Sequence, residues 1–342
     1  MTEKRIADFG EVNLIELIET KIHEITQKKI RKDDAFFSDL FTGEHPEEVN
    51  KLQLVSNSDM LVSTTDVPQG MNYYQIGRKA VIMNISDLIV KGVYPKWMII
   101  SIGIPERMLI KDFQELIRGI IECGKEWKIN YLGGDINETK EIIISPTVYG
   151  LKNKEKIIYR NGIRKGDYVC INGKFGLTGV GLDILVKQKR FKKFMPKYQQ
   201  CLESVWENEN LSREAFSLAD LKLASASIDS SDGLAKSLRD LMRSNPGFGF
   251  EIIFNERLIS EKAAEYSKEY EVPLEELIFN AGEEFIHIFT IPPESFEEAQ
   301  KLIKNISGTL LKIGKVIDQE TILIQKEQKN IELKERGFEH FL

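Results

Sequence analysis

The sequence predicts a two-domain protein of the α/β or α+β class. Its 342 residues are enough for about two domains at roughly 150 residues each. Predicted helices and strands are interleaved along both halves of the chain. A strongly charged segment with few bulky apolar residues, 151–167, lies between halves of similar length. We therefore expect one domain at residues 1–150 and a second at residues 151–342.

Apolar spacing predicts the elements of the first half in order. Helices are expected where apolar side chains recur at helical spacing, and strands where short apolar runs are bounded by polar or glycine-containing turns. The predicted helices cover 11–30, 75–92 and 106–127. Extended structure is expected at 51–65, a buried strand at 97–104, and shorter strands at 129–132 and 141–150. The motif Gly133-Gly134-Asp135 then follows a strand as a turn.

The second half is predicted in the same way. A strand at 168–171 leads through the glycine-rich turn 172–176 into a helix at 179–188. A strand at 226–229 precedes a helix at 234–242, and further strands are expected at 250–254 and 285–291. Residues 187–220 are charged and irregular in pattern, and their sequence predicts no element.

Composition and charge exclude several classes of protein. With 42% hydrophobic and 29% charged residues, the chain is neither disordered, collagen-like nor a coiled coil. The net charge of −6 argues against a globally basic surface for nucleic acid or anionic lipid. The longest nearly apolar stretch, 97–104, is too short to span a bilayer, and no secretory signal is visible. We expect a cytoplasmic protein without nucleic-acid or membrane partners.

Aspartates recur at predicted turns beside Gly, Ser, Thr or Asn. The six clusters are Asp33-Asp34, Asn57-Ser58-Asp59, Thr64-Thr65-Asp66, Ser86-Asp87, Gly133-Gly134-Asp135 and Asp229-Ser230-Ser231-Asp232-Gly233. One such cluster is commonly only a helix cap or a turn. Six of them, several placed after predicted strands, are harder to explain as caps alone, because α/β proteins carry their sites in those loops.

Oxygen ligands of this kind suit Mg²⁺. Zinc ligands are not expected, because the four histidines are not at ligand spacing and Cys123, Cys170 and Cys201 form no Cys-x-x-Cys pair. Magnesium held by carboxylates usually keeps water and phosphate oxygens as its other ligands. The acids therefore indicate a nucleotide substrate carried with metal, and phosphoryl transfer as the chemistry.

Common phosphate-binding signatures are absent. Gly173-Lys174-Phe175-Gly176 has the wrong spacing for a P-loop, and the protein-kinase motifs and the G-x-S-x-G motif do not occur. Gly176, Gly179 and Gly181 at a strand-to-helix turn either bring backbone N–H groups to a phosphate or serve tight packing, and the sequence leaves both open.

The motifs together resemble those of thiamine-monophosphate kinases, members of an ATP-binding superfamily that includes aminoimidazole ribonucleotide synthetase and selenophosphate synthetase. The resemblance covers nearly the whole chain, and the stretch 63–71 resembles the archaeal form. The matching segments are Gly10-Glu11, Asp33-Asp34-Ala35, Ser58 to Val62, Gly77 to Ala80, Asn84 to Leu88, Gly92 to Lys96, Gly133 to Asp135, Arg160 to Gly162, Ile228 to Leu234, Gly282 to Glu284 and Gly337 to Phe341.

That resemblance implies a fold and a function. The fold is like that of aminoimidazole ribonucleotide synthetase, with an N-terminal sheet domain that dimerises and a C-terminal α/β domain. The activity is Mg²⁺-dependent transfer of the ATP γ-phosphate to thiamine monophosphate, with several Mg²⁺ ions per site and a homodimer as the assembly. The acceptor phosphate is largely ionised near neutral pH, since its second pKa is about 6, so no strong general base is required.

Site residues follow from the same resemblance. The metal ligands are Asp34, Asn57, Ser58, Asp59, Asp87, Asp135, Asp229 and Asp232. The ATP contacts are Gly134, Asp135, Arg160 and Ser231, the substrate contacts are Asp66, Glu283 and Phe338, and the catalytic residues are Asp59 and Asp232. The alternatives are another ATP-dependent enzyme of the superfamily or a non-catalytic nucleotide-binding paralogue. Selenophosphate synthetase fits less well, because the first cysteine here is Cys123.

Four departures from the family pattern affect those assignments. Lys32 replaces a glycine before the aspartate pair, Asn57-Ser58 replaces two threonines, and residues 282–284 are Gly-Glu-Glu rather than Gly-Glu-Asp. Asp66 stands where the bacterial enzymes have a histidine. A carboxylate there is compatible with a cationic thiazolium ring.

Overall fold

The structure is a computed structural model that describes residues 11–27, 32–40, 47–188, 191–207, 211, 213–326, 329–334 and 337–338. Among the motif residues named above, Gly10 and residues 339–341 lie outside the described part. The same holds for residues 28–30 of the first predicted helix.

The first half folds into a sheet of six strands with helices against it. Its elements are α1 (Glu11–Thr26), β1 (Phe36–Asp39), α2 (Glu47–Asn50), β2 (Leu52–Asn57), β3 (Leu61–Val62), α3 (Ser63–Asp66), α4 (Tyr73–Val90), β4 (Trp97–Ile104), α5 (Ile110–Glu126), β5 (Asn130–Glu138) and β6 (Ile143–Asn153). The strand order is β1-β2-β6-β4-β5, with β3 also paired to β6. Strands β4 and β5 run parallel, and the other pairs are antiparallel.

One face of this sheet is covered by α4 and α5. The two helices cross at two glycines: a Cβ added at Gly77 would lie 2.1 Å from the Leu116 carbonyl oxygen, and one at Gly119 would lie 2.0 Å from that of Tyr74. Any larger side chain at either position would push the helices apart. Ile99 on β4 is exposed, as are Tyr131, Leu132 and Ile136 on the edge strand β5.

The second half is built around a sheet of seven strands. Its elements are β7 (Tyr168–Ile171), α6 (Leu177–Leu182), α7 (Phe191–Trp206), α8 (Glu214–Asp220), β8 (Ala226–Ser230), α9 (Leu234–Ser244), β9 (Gly249–Ile253), α10 (Glu261–Tyr270), β10 (Ile286–Ile291), α11 (Phe296–Asn305), β11 (Leu311–Ile317), β12 (Ile322–Lys326) and β13 (Lys329–Glu332). The strand order is β13-β12-β9-β11-β7-β10-β8. The main core lies under α6, α7, α9 and α10, and a smaller core lies under α8 and α11.

The predicted two-domain α/β class is confirmed, as are the strands at 97–104 and 168–171. The predicted strand at 129–132 is too short: β5 continues to Glu138, so the Gly133-Gly134-Asp135 motif lies inside a strand and not in a turn. Parallel pairing with β4 extends that strand past the glycines. The unassigned region contains α7 and α8. The domain limit between residues 150 and 151 stays a prediction.

Helix α4 joins the two halves. Almost all of its residues are buried, because it packs on the first sheet, on α5 and on β8. No helix in the described part of the chain is both long and apolar enough to cross a membrane.

Candidate active site

Five chain segments bring predicted metal ligands to one cavity of about 280 Å³ where the halves meet. The described residues that line it are Asp33, Asp34, Phe36, Asn57, Ser58, Asp59, Asp87, Arg160, Ile228, Asp229, Ser231, Asp232, Lys236, Ser237 and Asp240. Every predicted metal ligand except Asp135 is in this set. The segments are the loop before β1, the turn after β2, helix α4, strand β8 and the loop that follows β8.

Three carboxylates form the inner part of the cavity. One oxygen from each of Asp34, Asp87 and Asp229 lies within 4.8 Å of the other two. The Asn57 side-chain amide donates a hydrogen bond to Asp87 Oδ2 at 2.6 Å, and the Ser86 hydroxyl donates to Asp229 Oδ2 at 2.7 Å. Converging carboxylate oxygens that are fixed by neighbouring donors fit a hard divalent cation such as Mg²⁺.

The electrostatics of the cluster follow from crowding of like charges. Burial, together with the charges of Asp229, Asp59 and Asp34, raises the pKa of Asp87 well above its ordinary value. Burial, together with Asp34, raises the pKa of Asp229 to about 7, and burial also raises the pKa of Asp59. A bound cation would relieve this repulsion, which is a reason for the cluster to attract one.

Asp34 behaves differently because two cations contact it. Burial alone would raise its pKa, but Arg160 and Lys91 outweigh burial and hold the pKa of Asp34 below its ordinary value. Arg160 Nη2 pairs with Asp34 Oδ1, and Lys91 Nζ lies 2.6 Å from Asp34 Oδ2. The Arg160 backbone N–H also donates to Asp33 Oδ2 at 2.8 Å. Arg160, a predicted ATP contact, therefore lines the acid cavity.

The outer acids border solvent. The Asn84 side-chain amide donates to the Asp59 backbone carbonyl, and the Asp59 backbone N–H donates to Asn84 Oδ1 at 2.7 Å. The Asn57 side-chain amide donates to the Asp59 carboxylate. Asp232 Oδ2 lies 2.6 Å from Lys236 Nζ, one turn into α9. Ser58 is held by Thr147 Oγ1 at 2.9 Å.

A second cavity, of about 690 Å³, adjoins the first. Asp59, Ser231 and Asp232 line both. The second cavity is also lined by Asp66, Glu283 and Phe338, so the three predicted substrate contacts lie together beside the acids. Its other described lining residues are Thr65, Met83, Gly179, Leu182, Asp183, Val186, Lys187, Glu276, Leu277, Asn280, Ala281, Gly282 and Phe285.

The wall of the second cavity is tied together by Lys79 of α4. Its ammonium pairs with the Glu283 carboxylate and donates to the Asp66 backbone carbonyl. The Asp66 carboxylate accepts the Val62 backbone N–H at 2.6 Å. The backbone N–H of Phe338 donates to the Asp232 carbonyl at 2.9 Å, which places the Phe338 side chain at the rim.

The glycine-rich turn before α6 is occupied by Glu284. The Glu284 carboxylate accepts the backbone N–H groups of Gly176 at 2.6 Å and of Thr178 at 3.2 Å. A Cβ at Gly179 would lie 2.2 Å from the Leu277 carbonyl oxygen. Of the two roles left open for these glycines, the structure favours tight packing, because a protein carboxylate fills the place of a phosphate.

Some acids do not lie where the sequence pattern put them. Asp87 lies within helix α4 and Asp229 within strand β8, in keeping with the helix predicted at 75–92 and the strand predicted at 226–229 but not with the turns assigned to their clusters. Asp66 lies in the short helix α3, so the turn predicted there is wrong. Tertiary packing buries helix α4 on almost all sides. The Ser86-Asp87 pair inside it has the composition of a helix cap, which is why the sequence indicated a turn there. Gly134 and Asp135 are exposed on the edge strand β5 and line neither cavity.

Sequence reasoning missed two buried lysines. Lys79 lies inside a quoted motif, and Lys91 follows Asp87 by four residues on the same face of α4. The sequence signal for Lys91 was its position as the one charged residue in the otherwise apolar run 88–93, which indicates a buried lysine.

Known proteins resemble this chain over most of its length. Residues 33–151 match the family described as AIR synthase related protein, N-terminal domain. Thiamine-monophosphate kinase of Nitrosopumilus maritimus is 30% identical over 326 residues, covering 95% of this chain and 99% of the relative. The enzyme of the same name from Pyrococcus horikoshii is 33% identical, covering 85% of this chain and 87% of the relative. The chain belongs to the thiamine-monophosphate kinase family.

The fold agrees with that membership. A solved structure described as AaThiL complexed with AMPPCP and TMP superposes with a TM-score of 0.80 at 25% identity, covering 99% of this chain and all of the other. The resemblance predicted from the motif order is therefore confirmed.

Proposed function

We propose that the protein transfers the γ-phosphate of ATP to thiamine monophosphate, giving thiamine diphosphate and ADP. The observation that carries this proposal is the pair of adjoining cavities, one lined by acids and the other large enough for an organic acceptor, with Asp59 and Asp232 common to both. Relatives that cover nearly the whole chain carry the name of this activity, and a solved relative holds an ATP analogue together with TMP.

Asp34, Asp59, Asp87, Asp229 and Asp232 would hold the magnesium ions, with Asn57 and Ser58 at the edge of the set. Bound Mg²⁺ would neutralise phosphate charge and align the in-line displacement. The protein groups supply orientation: Asn57 and Ser86 fix two inner carboxylates, and Asn84 fixes the Asp59 backbone. Asp59 and Asp232 lie between the cavities, where the donor and acceptor phosphates would meet. No general base is needed for an ionised phosphate acceptor.

The acceptor would lie in the second cavity. Thiamine carries a thiazolium cation, and the Asp66 carboxylate supplies negative charge on one wall, beside Glu283 in its ion pair with Lys79. Phe338 is half exposed at the rim, and its ring is available for stacking against an aromatic heterocycle. These features support a flat cationic acceptor.

The nucleotide contacts and the assembly belong to the same proposal. Arg160 and Ser231 line the acid cavity, whereas Gly134 and Asp135 lie on edge strand β5. The same edge strand exposes Tyr131, Leu132 and Ile136, each at 57–61%. An edge strand with exposed apolar side chains supports a homodimer that covers it. We also propose a cytoplasmic protein with no nucleic-acid partner, in keeping with its net charge of −6.

The deciding experiment is formation of thiamine diphosphate from ATP, Mg²⁺ and thiamine monophosphate, followed by chromatography. Omitting the acceptor measures ATP hydrolysis alone, and EDTA in place of Mg²⁺ should abolish product. Folded protein that gives no thiamine diphosphate with Mg²⁺ would contradict the proposal.

A further inference from the structure

Lys91, at the end of α4, is a fully buried cation with three oxygen partners. Its ammonium lies 2.8 Å from Asp33 Oδ1 and 2.6 Å from Asp34 Oδ2, and it donates to the Ser227 carbonyl at 2.6 Å. The side chains of Lys91 and Asp33 are 0% exposed, and that of Asp34 is 2% exposed. A buried ammonium is tolerated only when its charge is compensated, and two carboxylates and a backbone carbonyl supply that compensation.

Lys91 lies directly behind the inner carboxylates. It follows Asp87 by four residues, so the two side chains occupy the same face of α4 one turn apart. Ser227 precedes Asp229 by two residues on β8, which puts both on the same face of the strand. Lys91 therefore contacts the loop that carries Asp34 and the strand that carries Asp229, and it directly follows the helix that carries Asp87.

The charges of this region require a cation. Asp34, Asp87 and Asp229 approach one another within 4.8 Å, and Asp33 adds a further carboxylate beside Asp34. Arg160 compensates Asp34 from one side only, through Oδ1. Without a second positive charge at Oδ2, the mutual repulsion of the inner acids would be less fully compensated.

We propose that Lys91 is a positioning residue that acts as a built-in cation. It occupies, between Asp33 and Asp34, the place that a bound ion would otherwise have to fill, and so keeps the acid cluster assembled before Mg²⁺ and ATP bind. The proposal rests on the magnesium-binding role of the cluster and not on the identity of the phosphate acceptor.

The test compares thermal unfolding of the wild type and Lys91→Met in EDTA and in MgCl₂. Loss of one partner from a buried charge cluster should lower the Tm of the variant in EDTA by roughly 5–10 °C. Mg²⁺ should restore much of this loss, because a metal ion can take the vacated place, while choline chloride at equal ionic strength should not. The wild type should respond to Mg²⁺ far less.

Titration with Mn²⁺ in the absence of nucleotide, followed by electron paramagnetic resonance, gives a second readout. Lys91→Met should bind one more Mn²⁺ ion per chain than the wild type. Lys165→Met is the matched control, because Lys165 also pairs with an aspartate but is 67% exposed, and it should leave Tm and Mn²⁺ binding unchanged. Equal responses of Lys91→Met and the wild type to both metals would overturn the proposal.

A charge-balanced double variant, Lys91→Met with Asp33→Asn, covers the case in which the single variant does not fold. Removing both charges should restore folding in EDTA and abolish the extra Mn²⁺ site. A double variant that is also unfolded would assign Lys91 a packing role and overturn the proposal. Both readouts are independent of catalysis, so absence of kinase activity would count against the proposed function alone.

Discussion

The ion pair between Lys79 and Glu283 joins residues that are 204 positions apart and closes one wall of the second cavity. Lys79 extends from α4 in the first half, and Glu283 lies in the loop before β10 in the second. The same ammonium donates to the Asp66 carbonyl. One side chain thus fixes both carboxylate-bearing segments of the proposed acceptor site.

Lys79→Met should therefore weaken acceptor binding more than nucleotide binding. Loss of charge-assisted hydrogen bonds to two wall segments is expected to raise KM for thiamine monophosphate roughly ten- to a hundredfold, with KM for ATP nearly unchanged. Steady-state kinetics with each substrate varied in turn measure this split. Lys301→Met, at an exposed site on α11, is the control and should match the wild type. An unchanged acceptor KM in Lys79→Met would remove the pair from the site.

Asp232→Asn tests the boundary between the two cavities. The Asp232 side chain is 37% exposed and pairs with Lys236, so its loss should change Tm by no more than about 2 °C. Its charge is placed where phosphates would meet, and kcat should fall by about a hundredfold or more. Asp220→Asn, an exposed aspartate on α8 that pairs with Lys152, should retain full activity. Comparable kcat in the two variants would exclude Asp232 from the reaction.

Phe338→Leu tests stacking at the rim. The ring is 50% exposed, so folding should be insensitive to its removal, while KM for thiamine monophosphate should rise by up to about tenfold, which corresponds to one aromatic contact. Phe338→Tyr preserves the ring and should behave like the wild type. Equal values of KM for Leu and Tyr variants would show that the ring does not contact the acceptor.

Strands and helices with a single strong pattern were predictable from sequence. The run 97–104 is nearly all apolar and bounded by turns, and β4 has these limits. Helix α7 was not predicted, because lysines and glutamines cover its exposed side and Pro196 lies within it, where the backbone departs from helical geometry at Tyr198. Strands β11 to β13 mix charged with apolar residues and gave no clear alternation.

The site was predictable as a set of residues but not as an arrangement. Aspartates beside small residues indicated which side chains to consider, and the structure gathers all the predicted metal ligands except Asp135 around one cavity. Nothing in local spacing shows that Asp34 and Asp229, far apart in the chain, approach each other, since that depends on how α4 packs against β8. The role of Glu284 at the start of α6 is also visible only in three dimensions.

The exposed edge strand β5 of the first sheet yields a prediction about assembly. If Leu132 is covered by a second copy, Leu132→Asp would place a charge in an apolar interface and shift the protein from dimer to monomer. Light scattering after size-exclusion chromatography measures the mass. Ile121→Asp is matched in exposure, at 57% against 61% for Leu132, but lies on helix α5 and not on the edge strand, and it should leave the mass unchanged. A dimeric Leu132→Asp protein would argue for another interface.

Glu284 yields a prediction about pH. Burial raises its pKa from the ordinary 4.5 to about 8, despite the hydrogen bonds from Gly176 and Thr178. The folded protein therefore holds this proton up to about pH 8, whereas the unfolded chain releases it near its ordinary value. Because the folded state binds more protons in this window, the free energy of unfolding should fall as pH rises, by up to about 1.4 kcal/mol per pH unit.

Glu284→Gln removes the titration while keeping a carbonyl oxygen for the two N–H donors. Its unfolding free energy should vary less between about pH 5 and about pH 8 than that of the wild type. The slopes of the two curves against pH should differ by the contribution of one bound proton. Urea unfolding in EDTA measures this without metal binding at Asp229. Glu298→Gln, at an exposed position on α11, should follow the wild-type curve. A Glu284→Gln curve parallel to the wild type would mean that Glu284 is ionised in the folded protein throughout this range, stabilised by the start of α6.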